Sequence, residues 1–268
     1  MSAAYSIKIR LTNSLPEPFP APVAAPADYL AHTRLLDLDD SKLRIQAMRI
    51  TQLASSDTHK AVLVHDYLKS LPFGCARTHG HVTAGEVLRS GRGDCHTKGT
   101  LFVALLRSSG VPARLRFVSL QGAFLRGIID SGDTNITHAI GEVYLEGKWV
   151  QSDTYVADDA LEIQALTILQ EEGRALGYGI HALGSRYWSG LQDAHGQYTT
   201  QDPASMPLID FGVAHDPECF YSAQPFLPDQ NNWLDRVKWT IAASLINRRT
   251  QQLRKRGGGQ SALVQETS

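Results

Sequence analysis

Apolar and polar positions change period several times along this chain, and each change marks an element. Ile7, Ile9 and Leu11 alternate with Ser6, Lys8 and Arg10, which predicts a strand over residues 5–11. Pro16, Pro18, Pro20, Pro22 and Pro26 then exclude regular helix and central strand, so residues 15–27 are expected to run over the surface as a connection. Asp39, Asp40 and Ser41 open a helix over residues 42–53. Ser55, Ser56 and Asp57 cap another over residues 58–71. Ala61, Val62, Val64, His65, Tyr67 and Leu68 give it an apolar side, and Pro72 stops it. Residues 84–88 read as one helical turn. Gly91 and Gly93 break regular structure, and Asp94 is a good N-cap. Leu101, Ala104 and Leu105 then carry a helix from Cys95 to a stop at Ser108, Ser109 and Gly110, with Pro112 just beyond.

After that helix a period of two returns. Ala113, Leu115 and Phe117 alternate with Arg114 and Arg116 in a strand running to about residue 120. Residues 122–135 read as loop. Residues 137–145 and 148–153 form two strands joined at Glu146 and Gly147, a tight-hairpin signal. Residues 158–176 are mostly helical, with Gly173 a weak point. Residues 177–221, rich in Gly, Ser, Asp and aromatics, show no clear period and receive no fold assignment. Residues 234–253 predict a basic amphipathic helix with Val237, Ile241 and Leu245 on one side. Gly257, Gly258 and Gly259 open a tail expected to be disordered.

Composition narrows the function classes. Hydrophobic residues make up 43% and charged residues 20% of 268, which is ordinary globular material for one large domain or one domain with additions. A formal net charge of -1 gives no reason to expect nucleic acid or a charge-driven membrane partner. Cys75, Cys95 and Cys219 are odd in number and widely spaced. They suggest no disulfide framework, so a cytoplasmic setting is expected. No signal peptide and no transmembrane segment are expected, because the first residues lack an apolar run after a basic start and no apolar stretch is long enough to span a bilayer.

The candidate chemistry gathers on three residues. A thiol at a helix start feels the positive end of the dipole, so Cys95 is expected to ionise below an ordinary thiol. If Glu146 and Gly147 form the turn, Leu145 faces Lys148, Val143 faces Val150 and Ile140 faces Asp153. His138, Ile140 and Glu142 then share a face, with His138 diagonal to Asp153. A one-residue slip would send them to opposite faces. Nucleophile, base and orienting acid fit Cys95, His138 and Asp153, and the Cys95 N–H is a natural oxyanion donor. No second donor is legible. Each residue also has a plainer reading: a small buried hydrophobe, a structural strand histidine, a turn carboxylate.

Three motifs carry a resemblance: Gly91-Arg92-Gly93-Asp94-Cys95 with the helical turn before it; Ala104-Leu105-Leu106 leading to Gly110-Val111-Pro112-Ala113-Arg114; and Thr137-His138-Ala139 continuing through Gly147-Lys148-Trp149 to Asp153-Thr154. Over about residues 30–160 the chain resembles the transglutaminase-like superfamily of papain-related thiol enzymes, of bacterial type. The resemblance implies an α+β fold with a papain/transglutaminase-like core, in which a Cys-bearing helix packs on an antiparallel sheet carrying His and Asp. It places the nucleophile at Cys95, the base at His138 and the acid at Asp153. Ile140 departs from the aromatic residue many members carry there. Residues 202–210, with Phe220 and Tyr221, look like an extension found in a bacterial subset.

The expected organisation is an N-terminal strand and Pro-rich connection (1–29), a catalytic core (30–160), a helical or irregular extension (161–255) and the tail (256–268). The expected activity is thiol-dependent amide hydrolysis or acyl transfer through an acyl-enzyme, on a peptide or small amide, with hydrolysis preferred. The alternative is a non-catalytic binding or scaffolding module. No cofactor or metal is called for: Cys95 and His96, with His79 and His81 nearby, match no zinc spacing. Lys98 is expected to be salt-bridged or solvated. Cys75, Cys219, Trp188 and Trp233 are expected to pack, and Arg248, Arg249, Arg254, Lys255 and Arg256 to form a solvated face.

Overall fold

Short polar caps start the first helices. Asp40 Oδ1 accepts from the N–H groups of Lys42 and Leu43, opening α1 (Ser41–Thr51). Ser56 opens α2 (Asp57–Ser70) through His59 N–H. Thr83 and Glu86 form a reciprocal capping box for α3 (Ala84–Ser90), two turns rather than the one expected, and Gly91 ends it in the left-handed region. The computed structural model describes residues 18, 24–76, 81–129, 134–222 and 233–256. The strand expected at residues 5–11 and the tail beyond Arg256 lie outside them. Within the Pro-rich connection, Pro26–Leu30 forms a short 3-10 helix.

The helix α4 (Cys95–Ser108) is the centre of the molecule. Asp94 caps it through Thr97 N–H at 2.9 Å, and every residue from 97 to 107 is buried. One side packs against α1, α2 and α3, the other against the sheet. The sheet is antiparallel, built from β1 (Ala113–Gln121), β2 (Asn135–Leu145) and β3 (Lys148–Ser152). Glu146 and Gly147 both take positive φ, the backbone a two-residue hairpin turn needs. The register pairs Leu145 with Lys148, Val143 with Val150 and Gly141 with Ser152, in agreement with the pattern read from the sequence. Gly141 sits so close under Phe102 of α4 that a Cβ there would lie 2.6 Å from the ring.

The remainder departs more from expectation. The helix α5 (Asp159–Glu171) stops before Gly173, which takes φ 62, so Leu176 leaves the helix. It pairs instead in a small ribbon of β4 (Leu176–Gly177) and β5 (Ile180–His181). Residues 177–221, unassigned from sequence, supply β6 (Ile209–Ala214) as a fourth strand beside β1, giving the order β3-β2-β1-β6. A register shift at Phe117/Val118 and a positive φ at Gly212 interrupt the alternation that would have betrayed β6. The short α6 (Pro217–Ser222) follows. The last helix, α7 (Trp233–Lys255), packs on α5. It buries Ala243, Ile246, Thr250 and Leu253 and leaves Ile241 and Leu245 outside, so the apolar stripe expected through 241 and 245 is not the docking face. No helix among the described residues is long and apolar enough to cross a membrane.

Candidate active site

The start of α4, the first half of β2 and the residue after β3 come together. Cys95 heads α4 and keeps a partly open surface. Burial is nevertheless the largest influence on its thiol and, with the charges of Asp94 and Asp153, pushes its pKa well above the ordinary value. The backbone N–H groups of Ala139 and His96 act the other way. The depressed thiol pKa expected from the helix start is therefore overturned: desolvation of a thiolate packed against β2 outweighs the favourable amides. The influence of Ala139, next to His138, sets the nucleophile candidate against the strand that carries the base candidate.

His138 is fully buried. Its Nε2 lies 2.9 Å from Asp153 Oδ2, while its Nδ1 is buried with no hydrogen-bond partner. A carboxylate only accepts, so Nε2 carries a proton, and in the neutral imidazole Nδ1 then holds the lone pair. Asp153 is equally buried. Its Oδ1 accepts from Gly196 N–H at 2.7 Å, and its own N–H donates to Ala194 O. Burial works against ionisation of this carboxyl, but His138 and His195 outweigh it and hold the pKa well below the usual carboxylate range. His195 Nδ1 stands 3.8 Å from Oδ2, beyond hydrogen-bond length but close enough for its charge to act.

The loop after Asp153 is tied by two buried lysine side chains. Lys69 donates to the carbonyls of Thr154 and Ala157 and pairs with Glu162 at 2.9 Å. Lys98, one turn into α4, donates to the carbonyls of Tyr155 and Val156 at 3.0 and 2.9 Å. Lys98 is fully enclosed rather than solvated, and burial pulls its pKa down to about 7. His96 is not solvated either. It stacks with Phe117 and Phe220 and hydrogen-bonds Thr137.

Of the other residues singled out, Cys75 and Trp188 are buried as expected, whereas Cys219 is exposed. The Trp233 side chain lies outside the described atoms. Arg254 does not belong to a solvated face: it pairs with Asp158 and donates to Phe73 O.

Sequence reasoning singled out the candidates on the capped helix and the hairpin, and the structure brings His138 and Asp153 of these together. It missed the stretch from Asp193 to Gly196, which runs beside β3 and supports Asp153. Gln151 N–H donates to Asp193 Oδ1, Ala194 N–H to Gln151 O and Gly196 N–H to Asp153 Oδ1. Most of that support comes from backbone groups, which leave no trace in residue type.

Residues 45–154 match the family model of the transglutaminase-like superfamily. The chain carries a transglutaminase-like domain. This domain runs from within α1 to the residue after Asp153, so it takes in Cys95 and His138 and leaves His195 and Gly196 outside. Among solved structures, a candidate cysteine protease from Cytophaga hutchinsonii is 21% identical with a TM-score of 0.38, over 46% of this chain and 39% of that one. A candidate protease from Parabacteroides distasonis is 19% identical with a TM-score of 0.32, over 47% of this chain and 26% of that one. Both matches thus span less than half of the solved chain. A comparison with curated proteins returned no match.

Proposed function

We propose that this protein is a thiol enzyme that acylates Cys95 from a peptide or small amide and passes the acyl group to water or to an amine. The observation that carries the reading is the setting of His138: Nε2 is committed to Asp153, and Nδ1 is buried and unpartnered on the strand beside Cys95. His138 Nδ1 takes the thiol proton as sulfur attacks the amide carbonyl carbon. The tetrahedral oxyanion accepts from the Cys95 N–H. Its collapse breaks the C–N bond, and the imidazolium returns the proton to the departing amine. Asp153 keeps the imidazole in the required tautomer and offsets its charge. The thiol's raised pKa fits this order of events, since the proton leaves only as His138 accepts it. In the second half, water attacks the thioester for hydrolysis, the preferred outcome, or an amine attacks for transfer. Three free cysteines fit a reducing, cytoplasmic setting.

The test uses p-nitrophenyl acetate, an activated acyl donor, together with iodoacetamide. Wild-type protein is expected to release nitrophenol with saturation and to be alkylated at Cys95, and Cys95→Ala to lose both. Turnover retained by Cys95→Ala, or alkylation that spares Cys95 in the native protein, would overturn the assignment.

A further inference from the structure

We propose that His195, from outside the transglutaminase-like domain, is a positioning residue for Asp153: its buried Nδ1 closes on Asp153 Oδ2 when the site is occupied and holds that carboxylate in place for His138. The proposal rests on the reading of Cys95, His138 and Asp153 given above. Each carboxylate oxygen has room for two donors. Gly196 N–H occupies Oδ1 and His138 Nε2 occupies one direction of Oδ2, which leaves a place on Oδ2. His195 Nδ1 is buried, has no hydrogen-bond partner and stands 3.8 Å from that oxygen. A buried ring nitrogen without a partner needs an explanation, and a shift of less than an ångström would provide it. Contacts of this kind are often long in an empty site and tighten when substrate binds.

The position of the ring is not incidental. It stacks on Tyr198 with centroids 4.4 Å apart, and His195 O accepts from Ser185 N–H. On either side, Ala194 and Gly196 are hydrogen-bonded to Gln151 and Asp153 themselves, so the backbone that aims the imidazole is anchored to its target. A second N–H on Oδ2 has a chemical consequence. It lowers the proton affinity of the carboxylate, so the proton gained in acylation stays on His138 for delivery to the leaving amine. Burial opposes ionisation of Asp153, and His138 together with His195 overcomes it, so the carboxylate remains an anion in so enclosed a place.

The experiment is a double-mutant cycle in the full chain with p-nitrophenyl acetate, plus the NMR signal of the proton between His138 Nε2 and Asp153 Oδ2. His195→Phe keeps a ring over Tyr198 and removes the nitrogen. It is expected to lower kcat between about tenfold and a hundredfold with KM little changed, and to shift the downfield proton. In an Asp153→Asn background the same change is expected to cost nothing further, because its effect passes through that carboxylate. His195→Gln, whose amide N–H has similar reach, is expected to recover part of the rate. It also serves in the cycle should His195→Phe fail to melt cooperatively. A wild-type rate with an unmoved proton signal overturns the proposal, as does an equal loss in both backgrounds. Turnover independent of Cys95 alongside a shifted proton signal overturns the nucleophile and leaves the His195 contact standing.

Discussion

At Cys95 two influences oppose each other, and burial prevails over the helix start. The thiol is therefore expected to stay protonated at neutral pH instead of forming a standing ion pair with an imidazolium. Ultraviolet thiolate absorbance should be absent near neutrality in wild type and in His138→Ala alike, while iodoacetamide alkylation falls in the variant because the proton has no acceptor. A thiolate band at neutral pH in the wild type would show that the amides and His138 win instead. The placement of these candidates on a capped helix and a hairpin was legible in the sequence, because an N-cap and a two-residue turn are local signals that fix what lies beside them. The sign of the thiol shift was not, since it depends on Asp94, Asp153 and the distant strand that carries Ala139 coming together around one sulfur.

Between elements, Lys98 joins the helix that carries Cys95 to the loop that follows Asp153. Its folded pKa of about 7 lies below the roughly 10.4 of an unfolded lysine. Between these values the unfolded chain holds a proton that the folded chain lacks, so stability climbs as pH rises through that window. Lys98→Met is expected to remove that slope in urea melts taken across it, and to leave the Tyr155 and Val156 carbonyls without donors. An unchanged slope would mean that the lysine keeps its proton when buried. The same pairing explains a misreading. A lysine one turn into a helix looks like a surface residue, and only the fold reveals that two carbonyls wait opposite it. β6 was hidden for another reason: its bulge and Gly212 break the period that strand recognition relies on. On α7 the buried face is partly polar, through Asn247 bonded to Cys75, Thr250 enclosed and Arg254 paired, so the apolar stripe pointed the wrong way.

Across the whole molecule, described residues of the C-terminal third bond directly to the core. Arg254 on α7 pairs with Asp158, which caps α5 and accepts from Phe73 N–H. Phe73 in turn bridges to Gly93, in the loop that leads into Cys95. Arg254→Ala is expected to cost about 2 kcal/mol, the range for a hydrogen bond to a charged group, since it strands a largely buried carboxylate. It should also raise hydrogen exchange in residues 73–76 before α2 or β2 is affected. Exchange unchanged there would separate α7 from the site. Sequence divides the chain at about residue 160 because the recognisable motifs stop there, whereas hydrogen bonds to Asp153 do not. The carboxylate that orients His138 is held on its far side by residue 196. A growing polypeptide therefore emerges with its thiol and imidazole long before that amide has been made, and the candidate site cannot be completed until translation is well past the strands that bear it.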